Sequence, residues 1–329
     1  MRVLAAVDKF KGTATAAQVA TAISHACWEL GHECVELPIA DGGEGTLEAL
    51  GGANRVNTVT GPLGDPVQAE WRLHRGTAVI EMSRASGLTL VGGAEGNDAM
   101  AATTTGTGEL IDMALDLGAK KIVVCLGGSA TTDGGLGCVR AITSPHRLRS
   151  VQLLVACDVQ TLFTDAAPVF APQKGASPAQ VDMLRGRLER LAQMYQQQYG
   201  VDVRALPGTG AAGGLAGGLV AVGGRLLPGF DLVADELDLH DRIVEADLVI
   251  TGEGYLDVQS FDGKVVGGVQ ALCIGLDTPV AAIVGDTDTD VADRIHLRSL
   301  VAEFGERAMR EPLWCIEHAA VDLLREMAG

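Results

Sequence analysis

Residues 121–142 read KIVVCLGGSATTDGGLGCVRAI. An apolar run of strand length stops at a loop of two glycine pairs, a serine, two threonines and an aspartate, and helical spacing resumes at LGCVRAI. Strand, loop and helix in that order form the repeating unit of α/β proteins with a parallel sheet. Ligands of such sheets bind beyond the carboxyl ends of the strands. A loop without bulky side chains lets backbone N–H groups approach an anion, and a helix opening behind it adds about half a positive charge. The stretch therefore reads as an anion cradle at a strand end.

The same rhythm recurs at both ends of the chain. VLAAV at 3–7, helical TAAQVATAISHACWEL at 15–30 and ECVELPIA at 33–40 are matched near the C-terminus by EADLVITGEG, VVGGVQALCIGL, TPVAAIVGD and SLVAEF, before a closing helical WCIEHAAVDLLREMA. Between them, residues 54–82 alternate around GPLGDP and HRG turns as antiparallel strands do. The expected organisation is a parallel-sheet domain assembled from residues 1–55 and 240–329, with a second, mixed α/β domain of residues 56–239 inserted. Neither terminal segment is long enough to bury a sheet alone, so VLAAV and DLVIT are expected to share one.

Composition narrows the partners. Of 329 residues, 47% are hydrophobic, enough for one large core or two smaller ones. Asp and Glu outnumber Lys and Arg by 42 to 25, and the net charge of −17 repels phosphate backbones and anionic membrane surfaces. Nucleic acid and membrane are disfavoured, leaving small molecules. No apolar stretch approaches the roughly 20 residues of a membrane span, and the N-terminus MRVLAAVDKF enters a charged segment after seven residues. The seven cysteines are scattered, without a CxxC pair or histidines at zinc spacing. That usage fits a reducing cytoplasm rather than a disulfide framework or a structural metal.

Glycine is abundant, at 43 residues, and it clusters beside polar residues in DGGEG at 41–45, TTTGTGE at 103–109, GGSATTDGG at 127–135, PGTGAAGG at 207–214 and TGEG at 251–254. No GxxxxGK[ST] occurs, which argues against a P-loop NTPase. GTGAAG at 208–213 matches GxGxxG, with Asp231 at about the distance of a ribose-binding acid, so a nicotinamide-dependent oxidoreductase stands as a distant alternative. GxSxG and HExxH are absent, and the histidines at 25, 32, 74, 146, 240, 296 and 318 form no constellation.

Nine motifs taken together carry more. VDKFKGTATAAQVA, PIADGGEGTLEAL, VTGPLGDPV, TTTGTGELI, LGGSATTDGG, VACDV, FAPQKGAS, PGTGAAGGL and ITGEGYLDVQSFDGK follow one another in the order and character of the glycerate 2-kinase family, which the chain resembles over nearly its whole length. Each alone is only a glycine-rich loop; the ordered set is specific. The resemblance implies a flavodoxin-like α/β domain made from both chain ends, with a second α/β domain inserted. It also implies ATP-dependent phosphorylation of D-glycerate to 2-phosphoglycerate. Two departures stand out: only TSPHRLRSVQLL separates GGLGCVRAI from VACDV, where the family usually continues for several tens of residues, and Tyr255 stands where TGEG is commonly followed by arginine. They keep open a family member with an altered substrate or lost catalysis that still binds a nucleotide or a sugar acid.

Phosphoryl transfer needs an anion cradle, cations to offset charge, acids for Mg²⁺ and a group that positions the attacking hydroxyl. Asp133 is expected to orient or deprotonate the glycerate hydroxyl, with a helix N-cap as its alternative role. Lys9 and Lys11, after the first strand, are expected to meet the glycerate carboxylate or the γ-phosphate. Substrate and phosphate contacts are expected from Gly127, Gly128, Ser129, Thr131, Gly134 and Gly135 in the loop, and from Thr104, Thr105 and Gly106. Asp8, Lys174, Gly210, Gly213 and Lys264 complete that set. Among the acids at strand ends, Asp41, Asp158 and Glu253 are the expected Mg²⁺ ligands.

Overall fold

A computed structural model describes residues 1–327. Its strands are β1 Arg2–Val7, β2 Glu33–Pro38, β3 Arg55–Thr60, β4 Pro66–His74, β5 Thr77–Glu81, β6 Lys121–Cys125, β7 Gln152–Ala156, β8 Arg225–Leu227, β9 Leu248–Leu256, β10 Val280–Thr287 and β11 Leu297–Ser299. They make two sheets in two compact units, Met1–Asp41 with Gly229–Gly329, and Gly42–Pro228.

In the first unit the order is β11-β10-β9-β1-β2, and every neighbouring pair is parallel. Strand β1 is central, pairing Val7 with Pro38 of β2 on one side and with Gly252 of β9 on the other. The two chain ends thus share one sheet. From β1 the chain moves to one edge, then returns on β1's other side, so strand order reverses between β1 and β9, the topological switch of flavodoxin-like sheets. Side chains alternate across the sheet. Val3, Ala5 and Val7 join Ile250 and Ile283 against the helices Ala16–Glu29 and Pro312–Met327, while Ala282 and Val284 pack with Val266 and Val291 on the other face.

The second unit carries the order β3-β4-β5-β6-β7-β8, antiparallel from β3 to β5 and parallel from β5 to β8. Trp71, Ile80, Leu110, Ile122 and Leu215 form its main core. A second cluster gathers Phe163, Leu184, Leu188 and Tyr195 around the helix Pro178–Tyr199. That helix carries its own limits: a capping box of Ser177 and Gln180, proline in its first turn, and Gly200 at φ 76° beyond its end.

The units part at Asp41/Gly42 and Pro228/Gly229, not near residues 55 and 240. Residues 42–54 belong with the inserted unit because Glu81, at the end of β5, accepts hydrogen bonds from the backbone of Gly45 and Leu47, both 2.9 Å, and Leu47 is buried. Residues from Gly229 belong with the other unit, where the Phe230 ring lies so close to Gly268 that a Cβ there would sit 2.3 Å from it. The change from helix-and-strand rhythm to alternation marks where strands begin, not where the chain crosses. Among the described residues no disulfide links the cysteines, and no helix is long and apolar enough to cross a membrane.

Between β4 and β5 the two-residue turn Arg75–Gly76 has φ of 47° and 82°, left-handed at both positions as a tight hairpin requires. Arg75 holds a conformation that costs a side-chain-bearing residue about 1–2 kcal/mol. Arg75→Gly is therefore expected to raise Tm slightly and Arg75→Val to lower it, by thermal melting; equal melting of both variants would show that the turn carries no strain.

Candidate active site

Strand register sets the first cluster. Because β1 pairs Val7 with Gly252, the next residues, Asp8 just past the end of β1 and Glu253 inside β9, stand beside each other on either side of the switch point. Glycines hold them there. A Cβ on Gly252 would lie 2.1 Å from the carbonyl oxygen of Ile283, one on Gly285 2.3 Å from that of Gly254, and one on Gly254 3.1 Å from the backbone nitrogen of Lys11. The TGEG spacing is thus dictated by backbone packed directly on backbone.

Burial pushes the Asp8 carboxyl up to about 6, against the pull of Lys9, while Asp41 adds to the rise and Lys264 opposes it. The backbone N–H of Lys9 donates to Asp8 Oδ1 at 2.7 Å, and the Lys9 ammonium stands 3.9 Å from the same oxygen. Glu253 is pushed up to about 7, again by burial first; the Ser260 hydroxyl lowers it, the charge of Asp8 raises it and Lys264 lowers it. Its Oε1 is buried without a hydrogen-bond partner. Lys264 occupies the N-cap of the helix Val265–Gly275 and makes no side-chain cap bond. Two residues beyond Glu253, the exposed Tyr255 donates its hydroxyl to Asp288 at 2.6 Å. Asp8, Lys9, Asp41, Glu253 and Lys264 therefore share one electrostatic neighbourhood. Asp158, expected with Asp41 and Glu253, belongs to the other unit, just after β7. No three His, Cys, Asp or Glu side chains form a metal-holding group among the described residues.

The glycine loop after β6 does build an anion cradle, and the chain fills it itself. Asp133 Oδ2 accepts from the Thr104 backbone (2.9 Å), the Thr104 hydroxyl (2.8 Å) and the Gly137 backbone (3.1 Å), and Oδ1 accepts from the Gly135 backbone at 3.0 Å. The hydroxyl of Thr104 in turn accepts from the backbone of Cys138 at 2.9 Å. A carboxylate has about four acceptor sites, so this one is nearly saturated. Asp133 serves the donors at the start of the helix Leu136–Ala141 from two residues ahead of its N-cap, Gly135; the proton acceptor expected at Asp133 has little capacity left for a substrate hydroxyl.

Several expected ligand contacts are packing contacts. A Cβ on Gly106 would lie 2.2 Å from the Thr60 carbonyl oxygen, on Gly210 2.4 Å from that of Leu162, and on Gly213 1.9 Å from that of Thr131. Gly134 would strike Leu191 at 2.4 Å, and Gly135 would reach the Gly218 backbone at 3.1 Å. The Thr105 hydroxyl bonds that of Thr103 at 2.8 Å. GTGAAG follows a 3₁₀ turn, Val203–Ala205, rather than a strand, which removes the structural context a dinucleotide fingerprint needs. Gly127 and Gly128 differ: added Cβ atoms there would meet nothing nearer than 3.6 Å, and the neighbours of Gly127 are Gly43 and Glu44 of the DGGEG loop.

Lys174 is 2% exposed. Its ammonium donates to Ser129 Oγ at 2.7 Å and to the Thr131 carbonyl oxygen at 2.6 Å, tying the loop from beneath instead of reaching a ligand. Burial lowers its pKa to about 7, partly offset by the charge of Asp133. Around it, Asn97 Oδ1, Thr131 Oγ1 and Thr132 Oγ1 are buried without partners. Nothing in FAPQKGAS foretells this burial, which depends on where the loop returns.

Comparison with known proteins places these features in a lineage. A family model described as the glycerate kinase family matches residues 3–145 and 143–325. The glycerate 2-kinase of Escherichia coli K12 is 39% identical over 344 residues, covering 92% of this chain and 90% of that protein. The glycerate kinase of Bacillus subtilis 168 is 37% identical over 361 residues, covering 97% and 94%. A crystal structure assigned as glycerate kinase 2 from Salmonella typhimurium LT2 superposes with a TM-score of 0.87 at 35% identity, covering 100% of this chain and 98% of that one. The two family-model matches overlap at residues 143–145.

Two variants test the loop. Asp133→Asn turns an acceptor into an NH₂ group facing donors, and is expected to cost about 1–3 kcal/mol of stability; unchanged denaturant unfolding would refute the cap. Lys174 binds its proton less tightly folded than unfolded, so stability should rise with pH between about 7 and its ordinary value of 10.5. Lys174→Met should flatten that rise in Tm, and an identical rise in both proteins would show that Lys174 does not titrate there.

Proposed function

The chain belongs to the glycerate kinase family, and from that membership we propose that it transfers the γ-phosphoryl group of ATP to the 2-hydroxyl of D-glycerate, giving ADP and 2-phosphoglycerate. The observation that supports this most is the pair of acids Asp8 and Glu253 at the switch point of the parallel sheet, with Lys9 and Lys264 within their field. Phosphoryl transfer runs on positioning and charge more than on covalent chemistry, and needs both signs of charge in one place.

Magnesium fits these residues. Glu253 Oε1 is buried without a donor, Asp41 raises the hold of Asp8 on a proton, and Asp8 raises that of Glu253. Repulsion between hard oxygen ligands is what a divalent cation relieves. The lack of a three-acid group among the described residues is no obstacle, because Mg²⁺ commonly takes one or two carboxylates and completes its shell with phosphate and water. Asp8 and Glu253 would hold it, with Asp41 adding negative potential. When bound, the ion would neutralise charge on the transferring phosphoryl group.

Lys264 at the N-cap adds its charge to the positive end of the helix Val265–Gly275, an arrangement that an anionic ligand stabilises. Together with Lys9 and Lys11 it is the proposed partner of the phosphate and of the glycerate carboxylate. In the second unit Asp133 shapes the glycine loop, which leaves Gly127 and Gly128 as its ligand-facing stretch.

A coupled assay of ADP release with D-glycerate and Mg²⁺-ATP, with the product identified by phosphorus NMR, tests the reaction. Glu253→Gln is expected to lower kcat by about 10²-fold or more, the scale of losing one charge-stabilising group. Since Glu253 takes up a proton below about pH 7, more Mg²⁺ should be needed as pH falls beneath that value. No ADP release with any of a panel of hydroxy acids would overturn the reading; a 3-phospho product would correct the position of transfer.

A further inference from the structure

Between the segment Ala99–Ala102 and the helix Pro178–Tyr199 lies a cavity of about 320 Å³, contained wholly in the second unit. Leu184, Leu188 and Leu191, spaced along one helix face, form one wall, and Met100, Leu136 and Met194 line other parts of it. It is the wrong chemistry for glycerate, a three-carbon acid with almost no apolar surface. Its volume is at the small end of the about 300–1,000 Å³ usual for ligand sites, and its leucines and polarizable methionines suit a flat aromatic ring.

Polar groups around it point to a ligand as well. Thr132, 2% exposed, lines the cavity with a hydroxyl that has no partner. A buried unpaired hydroxyl is uncommon without a missing partner, and it could bond the edge of a heterocycle. Arg187 and Arg190 stand at the same cavity; Arg187 spends one N–H on the Met100 carbonyl at 2.8 Å. Guanidinium groups attract both ring faces and phosphates.

Continuity settles the occupant. Thr132, Asp133 and Leu136 of the lining come from the stretch whose other arm carries Gly127 and Gly128, where an added Cβ would meet nothing nearer than 3.6 Å. The negative charge of Asp133 is already met by four donors. One loop thus offers an apolar seat at one end and approachable backbone at the other, matching a molecule with an aromatic head and an anionic tail. We propose that this cavity seats the purine base of the nucleotide, with the phosphates directed along Gly127 and Gly128. The inference rests on the kinase reading above.

Photolabelling of the intact wild-type protein with 8-azido-ATP, followed by peptide mapping, tests it directly. Label in residues 99–102 or 178–199, competed by ATP, is expected. Met194→Trp, which fills the cavity from a half-buried position, should weaken ATP binding by calorimetry about tenfold, a change of about 1.4 kcal/mol, while KM for glycerate stays the same. Glycerate-dependent turnover with label only outside those segments overturns the base site and leaves the kinase reading intact. No ATP binding by the wild-type protein overturns the reading beneath it. Self-association that Met194→Trp abolishes, with ATP affinity unchanged, would assign the cavity to a second copy and also overturn the proposal.

Discussion

Four donors converging on the carboxylate of Asp133 hold the centre of the inserted unit together. They tie the loop after β6 to Thr104, ahead of the helix Thr105–Asp116, and to the first turn of the helix Leu136–Ala141. Hydrogen bonds to a charged group contribute about 1.5–3 kcal/mol each, so this one side chain organises two helix starts and a strand end. Glu81 does the same one strand away, accepting from Gly45 and Leu47 and pairing with Arg84 at 3.2 Å. The contrast with Glu253 is instructive. It is half-buried inside β9, and one of its oxygens is buried without a donor. Two acids complete the structure; the third keeps one buried oxygen unbonded.

The architecture was legible because it depends on period and order. Apolar runs separated by helical spacing at both termini led to one shared parallel sheet, and the alternation of residues 54–82 led to antiparallel strands. The sites were less legible, because a glycine needed for a ligand and a glycine needed for close packing look alike in a sequence. Gly106, Gly210 and Gly213 sit where a neighbouring carbonyl leaves no room for a Cβ, whereas a Cβ on Gly127 would make only ordinary contacts at 3.8 Å. Only the distance to the neighbour separates the two. Asp133 was equally ambiguous, since a cap and a base draw on the same residue type at the same position.

Lys174 shows a further limit. A lysine in a proline- and glycine-bounded segment reads as an exposed cation, yet its ammonium is enclosed by Ser129 and the Thr131 carbonyl oxygen. What buries it is the meeting of residues about 45 positions apart, a tertiary event with no local signature. The long helix Pro178–Tyr199 is the opposite case, with start and stop signals written into Ser177, Pro178, Gln180 and Gly200.

The central place of β1 also bears on how the chain is made. Arg2 and Asp247, which bond across this sheet at 2.7 Å, are 245 positions apart. At a ribosomal rate of about 5–20 residues per second, β1 waits about 12–50 s for its second neighbour. Throughout that interval it can pair with β2 alone, and one edge of an apolar strand stays open to chaperones or to another nascent chain. The whole inserted unit, with its own core, emerges meanwhile. Vectorial synthesis therefore favours folding from the inside of the sequence outward, with the oldest strand among the last to be enclosed.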